Sequence, residues 1–82
     1  MSYQEREISL DKLEKYLQVL DSDEGIRIDD KDGHIFVNKT SQRYCIEIKK
    51  KDVDQFFYQD NLKDIMYFLS DKIGSSSKIF SY

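Results

Sequence analysis

The spacing of apolar residues changes between Leu20 and Ile26, and this change constrains the fold more than any other feature. Before it, Leu10, Leu13, Leu17 and Leu20 recur three or four residues apart, which places them on one face of an amphipathic helix. After it, apolar residues alternate with polar ones, as in a strand with one buried face. The sequence therefore predicts a helix followed by a sheet.

The start of this helix is marked by Ser9, whose hydroxyl can cap an early backbone N–H group. Ile8 can pack against Leu13 as a hydrophobic staple. We therefore expect residues 1–8 to form a flexible N-terminus and residues 9–73 to form a single domain. In this division, residues 74–82 are a Ser-rich link followed by an apolar tail.

Three alternating segments follow the helix and predict an antiparallel meander. "DKDG", which ends at Gly33, is a tight-turn signal, and "NKTSQ" makes the second connection. The residues predicted to face the core are Ile26, Ile28, Ile35, Val37, Tyr44, Ile46 and Ile48.

The segment from Val53 to Ile73 has helical spacing in two phases. Val53, Phe56 and Phe57 cluster on one side, and the later apolar residues lie roughly opposite. A kink or break at residues 59–61 resolves the conflict, with Asp60 or Asn61 capping the second piece. The predicted fold class is α+β, a two-layer α-β-β-β-α arrangement with a three-stranded antiparallel meander and a kinked or broken C-terminal helix.

The apolar tail is expected to have a role, because exposed apolar residues in a disordered terminus invite aggregation. Docking of Ile79, Phe80 and Tyr82 on the same molecule is the first prediction. Exchange with a second copy and a tail offered to a partner are the alternatives.

Composition limits the function. The chain has 82 residues, 16 acidic and 13 basic, with a formal net charge of −3, so non-specific nucleic-acid binding is disfavoured. Cys45 is the only cysteine, which excludes an intrachain disulfide and favours a reducing, cytoplasmic location. The sequence shows neither an export signal nor an apolar run of membrane-spanning length. A domain this small rarely holds a deep catalytic cleft, so we predict no enzyme activity and no cofactor.

The outer face of the predicted sheet holds the candidate site. Short turns would place Asp29, His34 and Glu47 in one cross-strand row. The row beside it would contain Arg27, Phe36 and Cys45. Catalysis through His34 and Cys45 lacks an oxyanion site and shelter from water, and a metal at His34 lacks a second histidine or a cysteine pair. Phe36 and Cys45 are apolar on an otherwise polar face, which indicates binding.

Acidic residues are expected to gather at one end of the sheet, either as a solvated edge or as a mimic of phosphates for a basic partner. The acidic residues of this predicted edge are Asp21, Asp23, Glu24, Asp29, Asp30 and Asp32. An EF-hand is excluded, because the register ending on Gly33 puts Ile28 at the first ligand position and Lys39 at the twelfth.

Lys49, Lys50 and Lys51 fall between the third strand and the predicted helix. In element order and in this basic run the chain resembles double-stranded RNA-binding domains, which implies phosphate contacts there. A solvated loop and a contact with an acidic protein are the other interpretations. The residues of the nucleic-acid alternative are Lys39, Arg43, Lys49, Lys50 and Lys51.

The function predicted from sequence is a small non-enzymatic protein-binding module. In size, acidity and element order the chain resembles the small proteins that phages encode to block host factors, including some anti-CRISPR proteins. This resemblance implies an inhibitor or regulator. The predicted partner is a protein, with a basic nucleic-acid-handling protein as the candidate, and the chain is predicted to be a monomer or homodimer. The predicted partner-binding residues are Asp29, Asp30, Asp32, His34, Phe36, Cys45 and Glu47.

Overall fold

The computed structural model describes residues 5–40, 43–74 and 76–82. Within these ranges the chain forms six strands and two helices. In chain order the elements are β1 (Arg6–Ile8), α1 (Leu10–Gln18), β2 (Gly25–Asp30), β3 (Gly33–Lys39), β4 (Tyr44–Lys50), β5 (Val53–Gln59), α2 (Leu62–Ser70) and β6 (Lys78–Ser81). The strands join in one antiparallel sheet of order β1-β6-β2-β3-β4-β5.

The predicted meander is confirmed in β2, β3 and β4. Val37 lies between Ile26 and Ile46, so the alternating apolar residues of all three strands share one face. Asp30 pairs with Gly33, which leaves a two-residue turn between β2 and β3. A β-carbon at Gly33 would overlap the carbonyl oxygen of Lys49, so this close approach of two strands requires glycine.

The core lies between this face, the inner face, and the two helices. The buried residues form one cluster without a buried polar side chain in the described part of the chain. The Tyr44 hydroxyl reaches into α1 and donates a hydrogen bond to the Leu17 carbonyl oxygen at 2.8 Å. The mixed α+β class is therefore confirmed. The cluster consists of Ile8, Leu13, Leu17, Leu20, Ile26, Ile28, Ile35, Val37, Tyr44, Ile46, Ile48, Ile65, Leu69 and Ile79.

The first piece of the predicted broken helix is a strand, β5. Lys50 pairs with Val53, and Lys51 has a positive φ of 28° in the two-residue turn between them. Aromatic residues suit a pleated, half-buried surface. The Phe57 ring packs against Phe68 of α2, with the two ring centroids 5.0 Å apart. The spacing of Val53, Phe56 and Phe57 therefore imitates a helical period in an edge strand with apolar residues on both faces.

The predicted break at residues 59–61 is the boundary between β5 and α2. Asn61 is the N-cap of α2, and its side-chain oxygen accepts a hydrogen bond from the Asp64 N–H at 2.9 Å. Asn61 thus satisfies a donor that the first turn of the helix cannot pair internally. Ser9 is the N-cap of α1 by position but makes no such side-chain bond.

Both ends of the described chain belong to the sheet. Residues 1–8 were expected to be flexible, but Arg6–Ile8 pairs with β6 and Ile8 is buried; residues 1–4 lie outside the described residues. A three-residue strand with one buried side chain leaves little periodic signal. The apolar tail docks on its own molecule, as predicted, and inserts as β6 between β1 and β2 with Ile79 buried opposite Ile28. Of the link, Ser75 is not described.

Candidate functional site

The face of the sheet opposite the core, the outer face, carries a row of side chains that crosses all six strands. Strand pairing places one residue from each strand in this phenylalanine row. In spatial order the row is Glu7, Phe80, Arg27, Phe36, Glu47 and Phe56. Every phenylalanine of this row therefore has only charged residues as its cross-strand neighbours.

Two further rows flank it. The charged row, on one side, is Lys78, Asp29, His34, Lys49 and Asp54. The tyrosine row, on the other side, is Tyr82, Gly25, Asn38, Cys45 and Tyr58. The face therefore changes across its width, from ionic side chains through phenylalanines to tyrosines and small uncharged residues.

The predicted register between β3 and β4 is wrong by two residues. His34 pairs with Asp29 as predicted, but its neighbour in β4 is Lys49, and Glu47 pairs with Phe36. Cys45 pairs with Asn38. A shift of two preserves the face of every side chain, so the predicted residues stay on the outer face but meet different partners.

The cause of this shift is the connection between β3 and β4. It closes at Thr40 and Arg43, where the Thr40 N–H donates to the Arg43 carbonyl oxygen at 2.8 Å. The Thr40 hydroxyl donates to the same oxygen at 3.0 Å and accepts from the Arg43 N–H at 3.3 Å. The shift moves Cys45 from the row beside His34 to a position opposite Asn38, two rows away, so the histidine–thiol pair considered from sequence is not assembled.

Arg27 lies at the centre of an ion-pair network on the outer face. Its Nη2 is 2.7 Å from Glu5 Oε1, and its Nε donates to Asp29 Oδ1 at 3.0 Å. Desolvation by burial, the largest single influence, lowers the Arg27 pKa, but the bonds and charges of Glu5 and Asp29 together raise it above its usual value. His34 Nδ1 is 2.7 Å from the same Asp29 oxygen. The guanidinium is thereby held 4.7 Å from the ring centroid of Phe80.

Aromatic rings on this face are open to solvent to different degrees. Phe36 and Phe80 are half-buried, whereas Phe56 is 58% exposed and Tyr58 is 54% exposed. The Tyr82 ring lies directly over Gly25, where a β-carbon would come within 2.6 Å of it, and burial raises the Tyr82 pKa. No helix or strand among residues 5–40, 43–74 and 76–82 covers these rings.

The docked tail extends the outer face by strand pairing. As β6 it adds Phe80 to the phenylalanine row and is followed by Tyr82 in the tyrosine row. Phe36 and Tyr82 also line an open depression of about 440 Å³ together with Glu5, Asp23 and Arg27. Four aromatic members of this face were not predicted from sequence: Phe56, Tyr58, Phe80 and Tyr82. Phe56 and Tyr58 are two residues apart, as residues on one face of a strand are, but the apolar Phe57 between them hides this period.

The predicted acidic edge is not formed. Three of the acidic residues, Asp21, Asp23 and Glu24, precede β2. The other three lie at its far end: Asp29 and Asp30 are its last two residues, and Asp32 follows it. A strand rises about 3.4 Å per residue, so the two groups are separated by most of the length of β2. Of the predicted partner-binding residues, the outer face holds Asp29, His34, Phe36, Cys45 and Glu47, and the turn between β2 and β3 holds Asp30 and Asp32.

The predicted lysine cluster is divided. Lys49 belongs to the outer face, with Nζ 3.7 Å from Glu47 Oε2, the adjacent Lys50 points to the other face, and Lys51 is in the turn. This turn joins two strands, so the strand-to-helix position that carried the resemblance to double-stranded RNA-binding domains is absent from this part of the described chain.

The remaining cations of that alternative, Lys39 and Arg43, have other partners. Lys39 Nζ is 5.1 Å from the Tyr44 ring centroid. Arg43 Nε is 3.7 Å from Asp60 Oδ1, and its guanidinium is 5.7 Å from the Tyr58 ring centroid. The five cations therefore do not converge on one phosphate-binding surface.

No family model, curated protein or solved structure matches this chain. Within the described ranges, no group of three histidine, cysteine or acidic side chains is placed to hold a metal ion. Neither of the described helices is long and apolar enough to cross a membrane. The outer face is therefore the candidate site on the strength of its own geometry.

Proposed function

We propose that this chain is a protein-binding module whose contact surface is the outer face of the sheet. The observation that carries the proposal is the phenylalanine row, in which three aromatic rings, one exposed and two half-buried, alternate with charged residues. Aromatic and arginine side chains supply much of the binding free energy of protein interfaces. Arg27 is already held by Glu5 and Asp29, so its rotamer entropy is largely lost before binding.

The balance of charge favours a protein over a nucleic acid. Arg27 and Lys49 on the outer face each have a carboxylate oxygen within 4.0 Å. Lys78, the third arginine or lysine of the phenylalanine and charged rows, is the cross-strand neighbour of Asp29. Nucleic-acid affinity depends on cations that replace the counterions of phosphates, and aromatic platforms for single strands lie in positively charged grooves. A partner with an apolar strip flanked by charges of both signs complements this face better than a polyanion does.

The finer predictions, an inhibitor or regulator and a partner that handles nucleic acid, stay predictions. The partner surface that fits the outer face carries both signs of charge, rather than the purely basic surface that a single acidic edge would have required. A partner assayed with and without the chain will show whether binding changes its activity.

The proposal is tested by capture of proteins from lysate of the source cell with the tagged full chain and two variants. Phe36→Asp places a charge in the centre of the phenylalanine row. Tyr67→Asp is the matched control, because Tyr67 is an aromatic residue of α2 that is 77% exposed. We expect a partner that is retained by the wild type and by Tyr67→Asp but lost by Phe36→Asp, with both variants folded by circular dichroism.

Equal capture by all three proteins would contradict a contact at the outer face. The nucleic-acid alternative has a separate test, in which single-stranded and duplex RNA are titrated at two salt concentrations. RNA binding that weakens steeply as salt is added would favour the nucleic-acid alternative over the protein-binding proposal, because such a salt dependence reports contacts with phosphates.

A further inference from the structure

The two edges of the sheet differ in their protection. One edge is β1, which has three residues, two of them charged. The other is β5, which has seven residues, "VDQFFYQ", and pairs only with β4 among the strands the structure describes. Natural edge strands are usually protected by shortness, lysine, proline or a bulge. β5 has no lysine or proline, and its only charge is Asp54.

The direction of the backbone groups of β5 follows from hydrogen bonds elsewhere in the sheet. Antiparallel ladders alternate hydrogen-bonded and non-hydrogen-bonded pairs. Gly25 and Tyr82 exchange both bonds, at 2.9 and 3.0 Å, and the Thr40–Arg43 bond closes the β3–β4 connection in the same phase. Continued through the observed registers, this alternation directs residues 55, 57 and 59 toward β4.

Asp54, Phe56 and Tyr58 consequently direct their backbone N–H and C=O groups toward the free edge. The same three residues carry the outer-face side chains of β5. The edge therefore presents a row of unpaired backbone groups beside two exposed aromatic rings. This is the arrangement that accepts an added strand.

We propose that the strand added to β5 is β5 of a second copy, antiparallel, with the two-fold axis passing through Phe56. In this register Phe56 faces Phe56 of the second copy, and Asp54 faces Tyr58 of the second copy. No like charges are opposed, and aromatic cross-strand pairs stabilise a sheet. The Arg43 guanidinium lies 5.7 Å from the Tyr58 ring centroid, so Asp54 of the second copy also approaches a cation. About six backbone hydrogen bonds would form between the copies.

This inference goes beyond the proposed function and does not depend on it. The axis is perpendicular to the sheet, so both outer faces point to the same side. The result is a continuous sheet with six strands from each copy. The two phenylalanine rows would join at Phe56, which doubles the aromatic surface that a partner can contact.

Light scattering after size-exclusion chromatography tests the pairing over a range of protein concentrations. The expected mass of the wild type rises reversibly from that of the 9.8 kDa chain to twice that value. Phe56→Lys alone and Phe56→Glu alone should each stay at the single-chain mass, because like charges would meet at the axis. An equimolar mixture of the two variants should recover the doubled mass, and Tyr67→Lys should behave as the wild type.

Three results would each overturn the proposal. The first is a wild type that keeps the single-chain mass at all concentrations, which would leave the edge to a strand of another protein. The second is a doubled mass that persists in Phe56→Lys and Phe56→Glu. The third is a mixture of these variants that stays at the single-chain mass while the wild type dimerises, because only a two-fold axis at residue 56 brings the opposite charges together.

Amide exchange provides a readout within the wild-type chain. The N–H groups of Phe56 and Tyr58 should become protected as the concentration rises, because they bond only to the second copy. Those of Gln55 and Phe57 should be protected throughout, because they bond to β4. Exchange at Phe56 and Tyr58 that is independent of concentration contradicts the pairing.

Discussion

The inner and outer faces of one sheet are built from alternate residues of the same strands, yet they differ in almost every property. The buried side chains of the inner face are aliphatic apart from Tyr44, and the helices cover them. The outer face alternates phenylalanine with charge and is not covered by any described element. Because the strand period is two, the requirements of folding fall on one set of residues, and the other set is free to serve binding.

The largest effect expected from this comparison is on stability. Ile46 is fully buried in the inner face, so Ile46→Ala should lower the free energy of unfolding by about 2 to 5 kcal/mol through lost burial and a cavity. Phe36→Ala, on the neighbouring strand and half-buried on the outer face, should cost roughly half of that or less. Urea unfolding of the wild type and both variants measures these losses in the free energy of unfolding. Equal losses would mean that Phe36 belongs to the folding core.

The same comparison explains how much the sequence could predict. Ile26, Ile28, Ile35 and Val37 alternate without interruption, so β2 and β3, their pairing and their buried face were all predictable. β5 was not, because its one half-buried phenylalanine, Phe57, is flanked by exposed aromatic residues and produces no clean period.

The outer face was predictable as a set of residues but not as a set of neighbours. Which residues share a face depends on the strand period, whereas which residues meet depends on the length of each connection. The connection that closes at Thr40 and Arg43 shifts the register of β4 by two residues from the predicted one. Lys49 therefore lies beside His34 where Glu47 was predicted. The insertion of β6 between β1 and β2 also lay beyond local patterns, because it depends on contacts between the two ends of the chain.

The buried hydroxyl of Tyr44 provides a second test of the inner face. Tyr44→Phe removes its bond to the Leu17 carbonyl oxygen and should lower the free energy of unfolding by about 1 kcal/mol at neutral pH. Burial raises the Tyr44 pKa in the folded state, so folding favours the protonated phenol. This stabilisation is present below the unfolded pKa of about 10 and is lost as pH rises through the folded pKa.

The stability difference between wild type and Tyr44→Phe should therefore shrink above about pH 10. Denaturant unfolding at a series of alkaline pH values measures it. A difference that stays constant through this range would show that ionisation of Tyr44 does not limit stability. Burial also raises the pKa of Tyr82. Both proteins should therefore still lose some free energy of unfolding at alkaline pH.

The smallest expected effect is on the outer face. Arg27→Gln removes the ion pairs with Glu5 and Asp29, and partly exposed pairs of this kind contribute up to about 1 kcal/mol. The loss should diminish as salt is added, because screening weakens the pairs in the wild type. Thermal unfolding at low and high salt measures this dependence. A loss comparable to that of Ile46→Ala would contradict the division of roles between the faces.

The proposed contact between the outer face and a partner is tested most directly through Cys45. It is the only cysteine of the chain and lies half-buried on the outer face between Asn38 and Tyr58. Its rate of alkylation, followed by mass spectrometry, reports whether this face is covered. We expect slower alkylation when the captured partner is bound, and a rate restored to that of the free chain in the Phe36→Asp variant. An unchanged rate with the partner bound would contradict it.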